Sequence, residues 1–170
     1  MTGKQAREAP RSVVARRLAA LAGFVAGCLA VGWLGGLVTE TSIDTWYPTL
    51  EKPSWTPPNL AFPAVWTILY VLMGVAAWLV WRDGAPGRRL RPLGLFVLQL
   101  LLNAVWTSFF FGLRSPGLAL LDIALLLAAI LATILAFRRV NRIAAWLLLP
   151  YLCWTGYAAA LTFAIWRMNS

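Results

Sequence analysis

Five stretches of roughly twenty residues each, at 18–38, 60–81, 93–113, 117–137 and 143–166, contain a single charged side chain between them, Asp122. That length matches the hydrocarbon thickness of a bilayer at about 1.5 Å of rise per helical residue. In lipid a spanning segment has to satisfy its own backbone, which leaves α-helices or closed barrels. A barrel needs strands of about ten alternating residues, and no such alternation occurs in these Leu- and Ala-rich runs. Composition agrees: 61% of the residues are hydrophobic and 12% charged, where soluble domains are near half apolar and about a quarter charged. The expected fold is all-α and integral to a membrane, a single bundle of five transmembrane helices over residues 18–167 behind a basic tail at 1–17. The tail is expected to be frayed.

A basic start followed by an apolar run also describes a signal peptide. The first run is twenty-one residues long, beyond the signal core of about 7–15, so it is read as a retained helix. Its glycines form small-x-x-x-small faces at Gly23/Gly27 and Gly32/Gly36, which let helices approach closely. Spacing alone leaves open whether they pack within one chain or between two.

The net charge of +9 suggests nucleic acid until the charges are placed. With five spans, the tail and the second and fourth loops share one side and hold twelve Lys and Arg; the other side holds three, Lys52, Arg114 and Arg167. This asymmetry orients a membrane protein, with the N-terminus cytoplasmic and the C-terminus outside, and leaves no nucleic-acid partner. Cys28 and Cys153 lie in different spans and the chain has no histidine, so neither metal nor cofactor is expected. Asp122, six residues into its span, is expected to pair with Arg114 across the turn at 114–116. The loop at 82–92, with Gly84, Pro86 and Gly87, reads as a solvated turn.

The one long connection, 39–61, runs into a stretch that is rigid and aromatic. Residues 46–70 hold three tryptophans, two tyrosines and five prolines. Proline keeps this segment out of regular helix until after Pro63. Such a stretch suits either an anchor at the lipid–water boundary or a lid over a cavity for a flat apolar ligand. Polar and aromatic residues inside the spans fall on helical stripes: Trp66 and Tyr70; Gln99, Asn103 and Trp106; Trp154, Tyr157/Ala158 and Leu161. Converging, they would line a mostly apolar pocket with a few orienting polar groups; apart, they would be helix-to-helix hydrogen bonds and lipid contacts.

The spacing W-Y-x-x-L-x-K-P-S-W-x-P-P from Trp46, then F-P-x-x-W-x-x-x-Y from Phe62, resembles the TspO/MBR family of tryptophan-rich sensory and translocator proteins. Gln99–Trp106, Phe110-Phe111-Gly112, Asp122 and Pro150-Tyr151-Leu152-x-Trp154 extend the resemblance over about residues 39–167. It implies a five-helix bundle, commonly a homodimer joined through helix three, of a bacterial cytoplasmic membrane, and so assigns the helix-one glycine faces to packing inside the protomer. It also implies a receptor or carrier role, with a porphyrin or similar flat apolar ligand held under the loop between helices one and two. The ligand-binding positions it implies are Trp46, Trp55, Pro57, Phe62, Trp66, Tyr70, Asn103, Trp106, Phe110, Trp154, Ala158 and Leu161. Trp66 and Trp154 match tryptophans implicated in light-dependent breakdown of protoporphyrin, the alternative, enzyme-like activity. The family's sterol-associated L-N-Y-x-x-x-R is here Leu161-Thr162-Phe163-Ala164-Ile165-Trp166-Arg167, so sterol binding is not implied. Ser108 stands near a proline of the family's helix three, and a straighter helix is expected there.

Overall fold

The computed structural model describes the backbone of residues 5–170 and the side chains from Ser12 onward. Residues 1–4 of the expected tail lie outside the described residues. The rest is helical from Gln5, so the stretch read as frayed is the start of a 39-residue helix, α1 (Gln5–Ile43). Then follow α2 (Ala61–Asp83), α3 (Pro86–Thr107), α4 (Pro116–Arg138), a short α5 (Arg142–Leu147) and α6 (Leu149–Met168). Among the described residues there is no strand, and five helical segments are long and apolar enough to cross a membrane: Ser12–Ile43, Ala61–Asp83, Pro86–Gly112, Pro116–Arg138 and Arg142–Met168. The fifth is α5 and α6 together, stepped at Leu148 beside Pro150, which cannot supply a backbone donor to a continuous helix. The expected solvated turn at 82–92 is mostly helix: Pro86 is preset for a first helical turn, so α3 begins there.

Ends of helices are tied by specific groups. Asn141 caps α5, its Oδ1 accepting from the Ala144 amide at 2.9 Å, and its Nδ2 donates to Asp83 at 2.6 Å, joining the end of α2 to the start of α5. At the same end Trp78 donates to the carbonyl of Arg17 (3.0 Å), and the guanidiniums of Arg82 and Arg89 lie over the rings of Trp78 and Trp81 at 4.7 and 5.5 Å. Indole and guanidinium at one level suit a headgroup boundary.

Arg114 takes a left-handed backbone (φ 52°) in the α3–α4 turn and donates to Ser42 of α1 at 3.3 Å. The expected Arg114–Asp122 pair is therefore not made. Asp122 is 5% exposed between helices, and the only side-chain ion pair among the described residues is Arg82–Asp83. Helix three is not straighter near Ser108 either: it widens into a π-helical turn, Ser108–Gly112. Ser108 Oγ donates to the Ala104 carbonyl at 3.1 Å, and the Phe111 carbonyl accepts from Ser42 at 2.8 Å. These side-chain bonds accompany the widened ladder, which turns Phe110 and Phe111 inward beneath the long loop.

The basic end of the bundle is solid and the loop end hollow. Met73, Ala76, Ala77 and Val80 of α2 share one buried core cluster with Leu126, Ile130 and Phe137 of α4, and Phe96 is stacked on Phe137 at 5.9 Å. Helices α1 and α2 touch backbone to backbone at Gly74, where an added Cβ would lie 2.6 Å from Val25 Cα and 3.0 Å from the Phe24 carbonyl. Gly32 makes the next contact, its face filled by the Tyr70 ring. Gly23, Gly27 and Gly36 face open space, with nothing within 4 Å of a Cβ. Assigning both glycine faces of α1 to internal packing is thus corrected: only Gly32 of the four packs, and its opposite number is an aromatic ring.

Candidate ligand-binding cavity

Above the Gly32–Tyr70 contact the helices part around a cavity of about 580 Å³, within the range of about 300–1,000 Å³ usual for ligand sites. Trp66 stacks on Tyr70 at 5.4 Å, and Tyr70 donates to Asn103 Oδ1 at 2.5 Å, which fixes the phenol and with it the indole. Trp106 stacks on Phe110 at 5.5 Å, and Phe110 meets Phe111 edge-on at 4.8 Å. Trp154 is gripped by Phe62 (6.0 Å, edge-on) and Tyr157 (5.6 Å, stacked). Edge and face contacts at these separations add to burial, so the walls are preformed aromatic surfaces.

The roof is the 44–60 loop. Its 3-10 turn, Tyr47–Thr49, sets the Tyr47 ring, 4% exposed, against Phe110 and Phe111 at 6.3 and 5.8 Å. The Lys52 ammonium donates to the carbonyls of Tyr47 (2.7 Å) and Leu50 (3.0 Å) and lies 4.8 Å over the Tyr47 ring, so its charge is spent within the loop. Tyr157 donates to the Trp55 carbonyl at 2.7 Å. Asn169 closes a reciprocal pair with Glu51, accepting from its amide at 3.0 Å and donating to its carbonyl at 2.9 Å. The last pair is a clasp between loop and chain end. Asn169→Ala is expected to leave the bundle folded and speed amide exchange of residues 50–56, by roughly five- to tenfold for about 1 kcal/mol of lost hydrogen bonding; exchange monitored by mass spectrometry checks it.

Of the twelve residues singled out in the sequence, Phe62, Trp66, Tyr70, Trp106, Phe110, Trp154, Ala158 and Leu161 line this one cavity. The other four stand apart from its wall. Asn103 is behind Tyr70; Trp46 packs edge-on against Phe110 at 5.7 Å; Trp55 lies over Tyr157, 47% exposed; Pro57 lines a separate lipid-side groove between α2 and α6. Gln99, expected on the same stripe as Trp106, is 1% exposed and does not line this cavity. Sequence reasoning missed the contribution of α1, nine of whose residues line the space, among them Gly32, Gly36, Thr39 and Glu40. The available signal was Thr39 and Glu40, polar groups one turn beyond the Gly35/Gly36 pair.

The wall is drawn from residues between 29 and 165, and that span lies within a match to the TspO/MBR family over residues 24–167. The chain belongs to the TspO/MBR family. It is 43% identical over 155 residues to the tryptophan-rich protein TspO of Chlorobaculum tepidum, covering 91% of this chain and 98% of that one. It is 40% identical over 150 residues to the TspO of Archaeoglobus fulgidus (88% and 97%) and 43% identical over 126 residues to the translocator protein of Homo sapiens (73% and 75%). As a TspO/MBR protein with five spanning helices it is integral to a membrane, and membership supports a receptor- or transport-type role.

Proposed function

We propose that this protein is a membrane receptor or carrier that binds porphyrins, protoporphyrin and related tetrapyrroles of the haem pathway, in the aromatic cavity under the 44–60 loop. The observation that carries the reading is a space of about 580 Å³ walled by the indoles of Trp66, Trp106 and Trp154. Flat π-surfaces suit a flat conjugated ring, and three indoles on different helices supply them without hydrogen-bond demands on the ligand. The only charged side chain on the lining is Glu40, at the rim.

In this reading the protein is a homodimer of a bacterial cytoplasmic membrane, and the twelve-to-three basic asymmetry supports an N-terminus inside and a C-terminus outside. Helix α3 is the dimer face in this reading: Leu90, Val97, Leu98 and Leu101 are exposed along it, and Gly94 is open.

Detergent-solubilised protein titrated with protoporphyrin, haem and a sterol tests the function. Saturable quenching of tryptophan emission by the tetrapyrroles and none by the sterol is the expected result; quenching that rises linearly without limit ends the proposal. Light-dependent oxidation of the bound ring by dioxygen is the second reading, favoured by Trp66 and Trp154 lining the same cavity. Bleaching under illumination would then slow when both are replaced by Phe.

A further inference from the structure

The cavity has three boundaries, toward water, toward the α2–α6 groove and between α1 and α2, and they differ in what closes them. Toward water stands the loop, held by the Tyr157–Trp55 bond and the Glu51–Asn169 pair. Toward the α2–α6 groove, an apolar recess of about 620 Å³ that includes Ile68, Leu72 and Cys153, stands Trp154, which lines both spaces and is fixed between two rings. Between α1 and α2 the wall has a gap. Trp33 and Leu37 line the cavity yet are 66% and 42% exposed, and Gly36 lines it with no atom within 4 Å of where a Cβ would sit. Exposed Pro63 and Thr67 form the facing edge on α2. The Gly32–Tyr70 contact closes the gap below, and Glu40, exposed and on the lining, marks its upper rim.

Gly36 lies seven residues before the end of α1 and, counted from the headgroup level at Arg17 and Trp78, about 28 Å along the axis, so the gap opens at the outer edge of a hydrocarbon layer about 30 Å thick. A side chain there would narrow it; glycine, a poor helix former, keeps it wide. We propose that the notch at Gly36 is a lateral portal through which a flat, membrane-dissolved ligand moves between the bilayer and the cavity. The proposal rests on the porphyrin-binding reading. An apolar ring concentrates in lipid, and its passage here breaks none of the hydrogen bonds that hold the loop. Glu40 repels carboxylates from the rim, so the ring's apolar edge enters first.

The test is stopped-flow quenching of tryptophan emission by protoporphyrin with the protein in lipid nanodiscs. Gly36→Trp puts an indole into the notch, starting from a Cβ position with no atom within 4 Å. Gly23→Trp is the control: equally open, not on the cavity, and about 20 Å along the helix. Gly36→Trp is expected to slow both association and dissociation, by about tenfold, and Gly23→Trp to match the wild type. Unchanged rates for Gly36→Trp overturn the portal. So does slowing produced instead by a bulky maleimide on Cys153, the exposed thiol (Cys28 is buried), which would assign the path to the α2–α6 groove. Faster association in Asn169→Ala with no effect at Gly36 assigns it to the loop. Conversion of a dimer to a monomer by Gly36→Trp would mean that a second copy covers the notch, and overturns the portal as well. Absence of saturable binding in the wild type is the failure of the binding reading itself, separate from all of these.

Discussion

Gly74→Leu is expected to lower the thermal midpoint of the detergent-solubilised protein by roughly 10 °C, equivalent to about 3 kcal/mol. The neighbours of the missing Cβ are backbone atoms, Val25 Cα at 2.6 Å and the Phe24 carbonyl at 3.0 Å. A flexible side chain could swing aside; a helix axis has to move. Moving α1 away from α2 also withdraws Gly32 from Tyr70, whose bond to Asn103 orients the Trp66 stack, so the cavity should loosen along with the bundle. Gly27→Leu provides the contrast. It meets nothing within 4 Å, and its effect should stay within about 0.5 kcal/mol. Thermal unfolding followed by intrinsic fluorescence separates the two; equal losses at both positions would refute the account of how α1 is seated.

The second large effect is on binding. Trp66→Ala and Trp154→Ala should each weaken protoporphyrin by roughly tenfold to a hundredfold, the loss of about 1–3 kcal/mol of stacking on one face of the ring. Trp46→Ala should change it by less than about threefold, because Trp46 buttresses Phe110 from outside the wall. Equilibrium titration with protoporphyrin, with thermal midpoints measured alongside to set aside misfolded variants, decides the ranking. A Trp46 effect as large as that of Trp154 would place the ligand on the loop and not beneath it.

Helix number and the aromatic wall were legible for a simple reason: both depend on residue type at fixed spacing. Runs without charge give spans, and Trp66/Tyr70 or Trp154/Ala158/Leu161 share faces because helical geometry demands it. What was illegible depends on which backbone lies opposite. Gly23, Gly27, Gly32 and Gly36 look alike in sequence, yet one is filled by Tyr70, two are open and one borders the cavity. Charge proximity misled in the same way. Arg114 and Asp122 are close along the chain, but the left-handed residue in the turn directs the guanidinium toward Ser42 on α1. The π turn at Ser108–Gly112 had no signature, since a serine bonding back to its own helix is common without one.

The rings that grip Trp154 also lead out of the membrane. From its indole the next ring is Tyr157 at 5.6 Å, and the next is Trp55 at 5.5 Å, nearly half exposed on the outer surface of the loop. Tyrosine and tryptophan are the most readily oxidised aromatic side chains, and van der Waals separations allow an electron vacancy to step from one to the next. If a light-absorbing ring binds here as proposed, an electron vacancy formed on Trp154 has a line of ring contacts through Tyr157 to Trp55 at the water-facing loop. The arrangement that shapes the wall thus also connects a buried indole, ring by ring, to one that water can reach.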